Sequence, residues 1–178
     1  MKFFWLLIYN VLLYPIFFVI AVLLFPFNYK IRTGLLGRYH SLKELKKFQN
    51  TNSFSNVYWF HVSSFGEFQQ IESIISNIKN SNANAGILVS FFSPSGYNNV
   101  DNNNIDCKIY LPFDFFWSVF RSLKVVKPKK IIFASYDIWP NILLMARFLH
   151  IDTVLISARI HNDSFKLRAL GKSIYRAI

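Results

Sequence analysis

A single cysteine, Cys107, is all the thiol chemistry this chain carries. That excludes an internal disulfide and any metal site built on several cysteines, and it fits a reducing compartment. The four histidines are scattered without the spacing that metal ligation uses. Acidic residues are scarce too: 9 stand against 20 lysines and arginines, a formal charge of +11. Such a surface suits an anionic partner: nucleic acid, acidic lipid or a phosphorylated substrate. No glycine-rich loop with its lysine occurs, so nothing supports binding of a nucleoside triphosphate. At 178 residues the chain has room for one domain with a sizeable core.

What it has in abundance is apolar side chains, 53% of the total, with 20 phenylalanines. The excess lies at the start. Residues 3–27 read FFWLLIYNVLLYPIFFVIAVLLFPF, interrupted only by Asn10 and two prolines. A helix needs about 20 such residues to cross a bilayer core. A cleaved leader has a shorter apolar stretch and a small-residue cleavage site, so residues 1–28 read as a retained membrane-anchor helix. Lys30, Arg32 and Arg38 follow the run and only Lys2 and the amino terminus precede it. That bias puts the rest of the chain in the cytoplasm. Pro15 makes a kinked interfacial helix the alternative to a straight span. Residues 29–56 read as a basic juxtamembrane segment and loop, with Lys30, Arg32, Arg38, Lys43, Lys46 and Lys47 beside anionic headgroups.

From residue 57 the pattern alternates. Apolar runs at 57–62, 87–92, 108–111, 130–134 and 153–157 predict strands. Helices are predicted over 66–80, where Phe68, Ile71, Ile74, Ile75 and Ile78 share a face, and over 115–126, where Phe116, Val119, Phe120 and Leu123 do. Further helices fit 141–149 and 164–178. The polar NNVDNNN stretch at 98–104 reads as a surface loop. Strands spaced for crossover helices give a Rossmann-like parallel sheet, α/β in class. Such sheets bind ligands at the carboxyl ends of their strands, where the polar residues of this chain fall.

Ser64-Phe-Gly-Glu67 has the form of a capping box, with Ser64 as N-cap. Glu67 has a second possible role, as a base, because a helix N-terminus favours its ionised form and Gly66 leaves room for a substrate. Ser93-Pro94-Ser95-Gly96 starts another helix, whose backbone N–H groups suit a phosphate or a sugar hydroxyl. Asp137 is a candidate cap for the helix after it or a second acid in the crevice. Trp139 is core or a sugar-stacking face. Arg159 is a surface cation or a bidentate clamp for phosphate or carboxylate. His61, inside a strand, reads as a satisfied buried histidine.

The stretches WFHVSSFGEF, FFSPSGY, IYLPFD and DIWPN, followed by LISARI, occur in the order seen in the N-terminal half of bacterial 3-deoxy-D-manno-octulosonic acid (Kdo) transferases. GLLGR after an apolar start resembles the same family. The resemblance implies residues 57–178 are the acceptor-binding lobe of a GT-B glycosyltransferase, which moves Kdo from CMP-Kdo to a lipid A precursor with inversion, without metal or other cofactor. It implies Glu67 as the general base, with Ser64, Gly66, Ser93, Ser95, Gly96, Asp137 and Arg159 toward the acceptor. It places the chain at the cytoplasmic face of the inner membrane, in lipopolysaccharide biosynthesis. The family often carries Glu-Thr-Glu or Lys-Tyr-Glu where this chain has Ser135-Tyr136-Asp137, one methylene shorter at the second acid. Family members continue into a C-terminal donor lobe, expected to be absent here. The alternatives are a non-catalytic membrane-anchored module for acidic lipid, or a gene remnant. A nucleic-acid binder is suggested only by charge, and no aromatic-and-basic RNA motif accompanies it.

Overall fold

A computed structural model describes residues 2–135 and 137–156. The apolar run forms helix α1 (Lys2–Ile8), a π turn (Tyr9–Leu13) and helix α2 (Tyr14–Leu24). Pro15 has no N–H to donate to the preceding turn. Just ahead of it the helix widens, and the Tyr14 N–H bonds to the Tyr9 carbonyl. Helix α3 (Tyr29–Thr51) follows, its N-cap Asn28 accepting from the Ile31 N–H at 3.1 Å.

The lobe then alternates: β1 (Asn56–Val62), α4 (Phe65–Ser81), β2 (Ala85–Phe91), α5 (Pro94–Asn99), β3 (Cys107–Tyr110), α6 (Phe116–Val126), β4 (Lys130–Ala134), α7 (Pro140–Phe148) and β5 (Asp152–Ile156). All neighbouring strands pair in parallel, in the order β3-β2-β1-β4-β5. The predicted α/β class and parallel sheet are therefore the observed ones, with strand bounds moved by a residue or two. The strand order reverses direction at β1, whose neighbours are β2 and β4. A crevice opens at such a switch point, outside the carboxyl ends.

Alternate side chains of the strands feed two cores. On one face Trp59, Leu88, Ile131 and Phe133 pack with Leu45 and Phe48 of α3 and with α6 and α7. On the other, Phe60, Val62, Val89 and Ile132 meet Phe68, Ile71 and Ile75 of α4. Interior strand β2 is buried along its whole length, which explains its apolar reading. At the edges of the predicted helical stripes, Ile74 and Phe116 are exposed.

The sequence pattern predicts no element between 29 and 48, yet α3 runs through that stretch and seals one sheet face. Gly37 brings it close: a Cβ there would lie 2.1 Å from the Tyr110 ring. Ser41 then donates to the Tyr110 carbonyl at 2.6 Å. The stretch at 98–104 is tethered rather than free, with Val100 buried and Asn102 donating to Glu72 at 2.8 Å. The helix predicted over 164–178 lies outside the described residues.

Candidate functional site

Ser63, the first residue beyond β1, joins three loops. Its N–H donates to Glu67 Oε2 at 2.6 Å, and its hydroxyl donates to Asp137 Oδ2. Its carbonyl accepts from the Ser93 hydroxyl at 2.7 Å and the Ser93 N–H at 3.1 Å. The loops after β1, β2 and β4 are thus tied to one residue at the switch point. Nothing in the sequence sets Ser63 apart, because a serine after a strand has no distinguishing pattern.

Ser64 is the N-cap of α4, accepting from the Glu67 N–H at 3.4 Å. Glu67 returns the bond one residue further back than a standard capping box, to Ser63 rather than to Ser64. Its carboxylate is half-buried at the head of α4, where the helix dipole favours negative charge. Beside it the space over Gly66 is open: among the described residues, apart from its chain neighbours and the backbone of its own helix, no atom comes within 4 Å of where a Cβ would sit.

Ser93 caps α5, accepting from the Gly96 N–H at 3.3 Å, and its hydroxyl lies 3.0 Å from that of Ser95. Gly96 is buried, and a Cβ there would stand 2.7 Å from Phe91 and 3.2 Å from the Ser64 backbone. Its lack of a side chain lets the Ser93 and Ser64 loops close on each other.

Asp137 does not cap the next helix; Trp139 holds that position, without a side-chain bond. The Asp137 carboxylate turns instead to β1, where His61 Nε2 lies 3.2 Å away. His61 is buried, with Nδ1 at 3.0 Å from the Ser90 hydroxyl, which accepts from Trp59 Nε1 at 2.8 Å. Nδ1 also lies 3.1 Å from the Ser90 carbonyl, and the Ser90 hydroxyl is placed to donate to the Phe60 carbonyl at 3.3 Å. Nε2–H donates to Asp137 whichever Ser90 oxygen Nδ1 pairs with. Burial works against the charge on Asp137, but the hydrogen bond and charge of His61 and the bond from Ser63 outweigh it. They hold the carboxyl below its ordinary range. The site thus keeps an ionised acid, 27% exposed, at the crevice wall. Ser135, two residues before it, sits at φ 62°, a left-handed conformation that a serine adopts at a cost of roughly 1–2 kcal/mol. Trp139 stacks on Phe92 at 5.2 Å. Arg159 lies outside the described residues.

Arg38 of α3 also reaches this loop cluster. It donates to the Phe92 carbonyl at 2.9 Å and lies 4.4 Å over the Phe92 ring. Gly34 makes room, since a Cβ there would meet the guanidinium at 2.7 Å. The sequence reading had Arg38 among the headgroup cations. The signal for its role was the pair of glycines, each costing roughly 1 kcal/mol inside a helix and so implying close packing.

The apolar helix is fastened to the lobe along its side. The Tyr9 hydroxyl donates to Asp114 Oδ2 at 2.7 Å, and the Asp114 N–H donates to the Tyr14 oxygen at 2.6 Å. Asn10 and Asn141 exchange side-chain bonds of 3.2 and 2.8 Å. Phe18 packs edge-on against Phe113 and Phe115. Burial pushes the Asp114 carboxyl up to about 7, against the bonds from Tyr9 and Asn141 that pull it down. The opposite side of the helix, from Phe4 through Val11 and Ile16 to Leu23, is exposed. Phe4–Leu24 is long and apolar enough to cross a membrane, with a mean hydropathy of 2.5. Among the described residues no cluster of His, Cys, Asp and Glu is placed to hold a metal ion.

Parallel strands with a polar crevice at their carboxyl ends, and an apolar helix docked beside it, define a Rossmann-like lobe that carries a helix long and apolar enough to cross a membrane. Residues 33–178 match the family described as 3-deoxy-D-manno-octulosonic-acid transferase (kdotransferase), and the chain belongs to that family. It is 30% identical over 119 residues to a 3-deoxy-D-manno-octulosonic acid transferase of Aquifex aeolicus, covering 64% of this chain and 32% of the relative. It is 28% identical over 128 residues to a bifunctional glycosyltransferase/methyltransferase of Fusobacterium nucleatum, covering 67% and 20%. A probable mitochondrial 3-deoxy-D-manno-octulosonic acid transferase of Arabidopsis thaliana is 28% identical over 114 residues, covering 62% and 25%. The chain spans a third or less of the length of these relatives.

Proposed function

We propose that this chain provides the acceptor-binding lobe of a Kdo transferase, with Glu67 as general base. The observation that carries the reading is the position of Glu67. It stands at the switch-point end of β1, beside open space over Gly66, in a chain of this family. The acceptor is a phosphorylated, acylated sugar, a lipid A precursor. Its hydroxyl gives a proton to Glu67 as its oxygen bonds to the anomeric carbon of Kdo. The bond from that carbon to the CMP phosphate breaks on the opposite face, so configuration inverts and CMP leaves with the electron pair. A second, donor-binding lobe holds CMP-Kdo. Ser64, Ser93, Ser95 and Asp137 orient the acceptor, and Arg159 meets its charge. A base of this kind contributes roughly 10²–10⁴-fold to the rate. The Glu67→Ala variant, in an enzyme containing both lobes, is expected to lose transfer by that factor while keeping its circular dichroism and melting temperature. Normal transfer by that variant refutes the assignment.

We further propose that the lobe works at the cytoplasmic face of the inner membrane, with its apolar helix lying in the interface. The middle of that helix, at Tyr9, Asn10 and Tyr14, is bonded to Asp114 and Asn141. A straight span would draw those lobe residues into hydrocarbon, where buried polar groups are costly. An in-plane helix instead buries its free apolar side among the acyl chains. Lys30, Arg32, Lys43, Lys46 and Lys47 then meet acidic headgroups, each worth about 1 kcal/mol near the surface. In this arrangement residues 1–28, 29–56 and 57–178 act as one unit.

A further inference from the structure

Between the docked helix and the lobe lies a cavity of about 340 Å³. That is the low end of the size of small-ligand pockets. Its walls are almost wholly apolar, from Phe17, Ala21 and Leu24 of α2 through Leu35 of α3 to Phe113. Two charged residues line it, Lys30 and Arg38, and both are cations. Ser93 and Pro94 also line it, so it runs up to the loop that Ser63 ties into the crevice.

Arg38 is the informative residue. Burial draws its pKa below the ordinary value, yet a guanidinium stays charged in a protein. Its protein contacts are a carbonyl oxygen and an aromatic face. Among the described residues no carboxylate is in ion-pair contact with it; the charge of Asp137 acts on it only from across the loop cluster. A cation at an apolar cavity with no carboxylate in contact fits a ligand that brings its own negative charge and a hydrocarbon tail. The other side of α2 faces outward and is apolar, so a chain already in the bilayer has a short path in.

We infer that this cavity takes one acyl chain of an acidic glycolipid, with Arg38 and Lys30 meeting the negative headgroup. The inference rests on the proposed function for the identity of that lipid as the acceptor. A volume of about 340 Å³ has room for one chain rather than several, and the head then lies toward Ser93 and the crevice.

The test uses the full chain in nanodiscs of zwitterionic lipid. The probe is a twelve-carbon alkyl phosphate carrying a terminal diazirine, compared with the corresponding uncharged alcohol, with crosslinks located by peptide mass spectrometry. Crosslinks to the 14–24 and 111–113 segments are expected. Arg38→Met is expected to weaken the phosphate probe roughly tenfold, the loss of one charge-assisted hydrogen bond, and to leave the alcohol unchanged. Ala21→Trp is expected to abolish labelling by both probes. Leu24→Trp, at a more exposed position, serves the same purpose should the first variant not fold. Ile16→Trp, on the outward side, is expected to have no effect. Labelling that survives both filling variants, or that responds equally to Arg38→Met with either probe, overturns the inference. Transfer is scored separately. Cavity labelling as expected, with Glu67→Ala fully active, sinks the general-base reading and leaves this site standing.

Discussion

Replacing His61 with leucine probes the polar wall of the crevice. His61 is 1% exposed and supplies the bond that keeps Asp137 ionised against burial. Leucine removes that donor and also the contacts of Nδ1 with the Ser90 hydroxyl and carbonyl. Breaking a fully buried charged pair costs about 3–5 kcal/mol. Asp137 is 27% exposed and keeps the bond from Ser63, so the expected loss is smaller, about 2–3 kcal/mol. In a domain of this size that lowers the melting temperature by roughly 4–12 °C. The sign of the pH effect follows from the direction of the shift. With His61 present, the Asp137 pKa lies below its unfolded value. The stability it contributes is present above that value and is lost as pH falls through the folded pKa. In the His61→Leu variant burial acts unopposed by His61, the pKa rises, and the acid-side loss begins at a higher pH. Melting temperatures from pH 3 to 7, for His61→Leu, Asp137→Asn and the double variant, give the coupling. Additive losses with unchanged pH profiles would refute the reasoning.

Asp114 has the opposite sign: burial raises its pKa from 3.8 to about 7. The stability this gives is full below the unfolded value and is lost as pH rises toward the folded one, so helix docking weakens between about 4 and about 7 by a few kcal/mol. Asp114→Asn is expected to flatten that decline, read as melting temperature against pH, and equal slopes in both proteins would contradict it. Gly37→Ala places a methyl 2.1 Å from the Tyr110 ring and is expected to cost about 1–3 kcal/mol with a widened α3–β3 contact. A melting temperature equal to that of the parent would rule out the close approach.

The ends of the strands were legible because the apolar runs stop at serine or proline: Val62 at Ser63-Ser64, Phe92 at Ser93, Leu111 at Pro112 and Ala134 at Ser135. The Ser64 cap was legible from local spacing alone, and the structure has it. Helix α3 was not, because its lysines and glycines hide an apolar seam in which only Leu45 and Phe48 are buried hydrophobics. The partner of His61 is 76 residues away and that of Tyr9 is 105 away. No periodicity reports such contacts; only the topology brings them together. Arg38 was visible as charge, but its role depends on the fit of α3 against the Phe92 loop.

Glu67 is bonded as a cap and proposed as a base, and one comparison separates the two. In an enzyme containing both lobes, single-turnover transfer rates are measured for Glu67→Gln and Ser64→Ala. The glutamine retains an oxygen for the Ser63 N–H but cannot take a proton, while the alanine removes the cap oxygen and keeps the carboxylate. The account predicts a drop of roughly 10²–10⁴-fold for Glu67→Gln at near-normal stability, with Ser64→Ala losing about 1 kcal/mol of stability and, as one acceptor contact among several, roughly tenfold in rate at most. A Glu67→Gln enzyme that transfers as fast as its parent would contradict it.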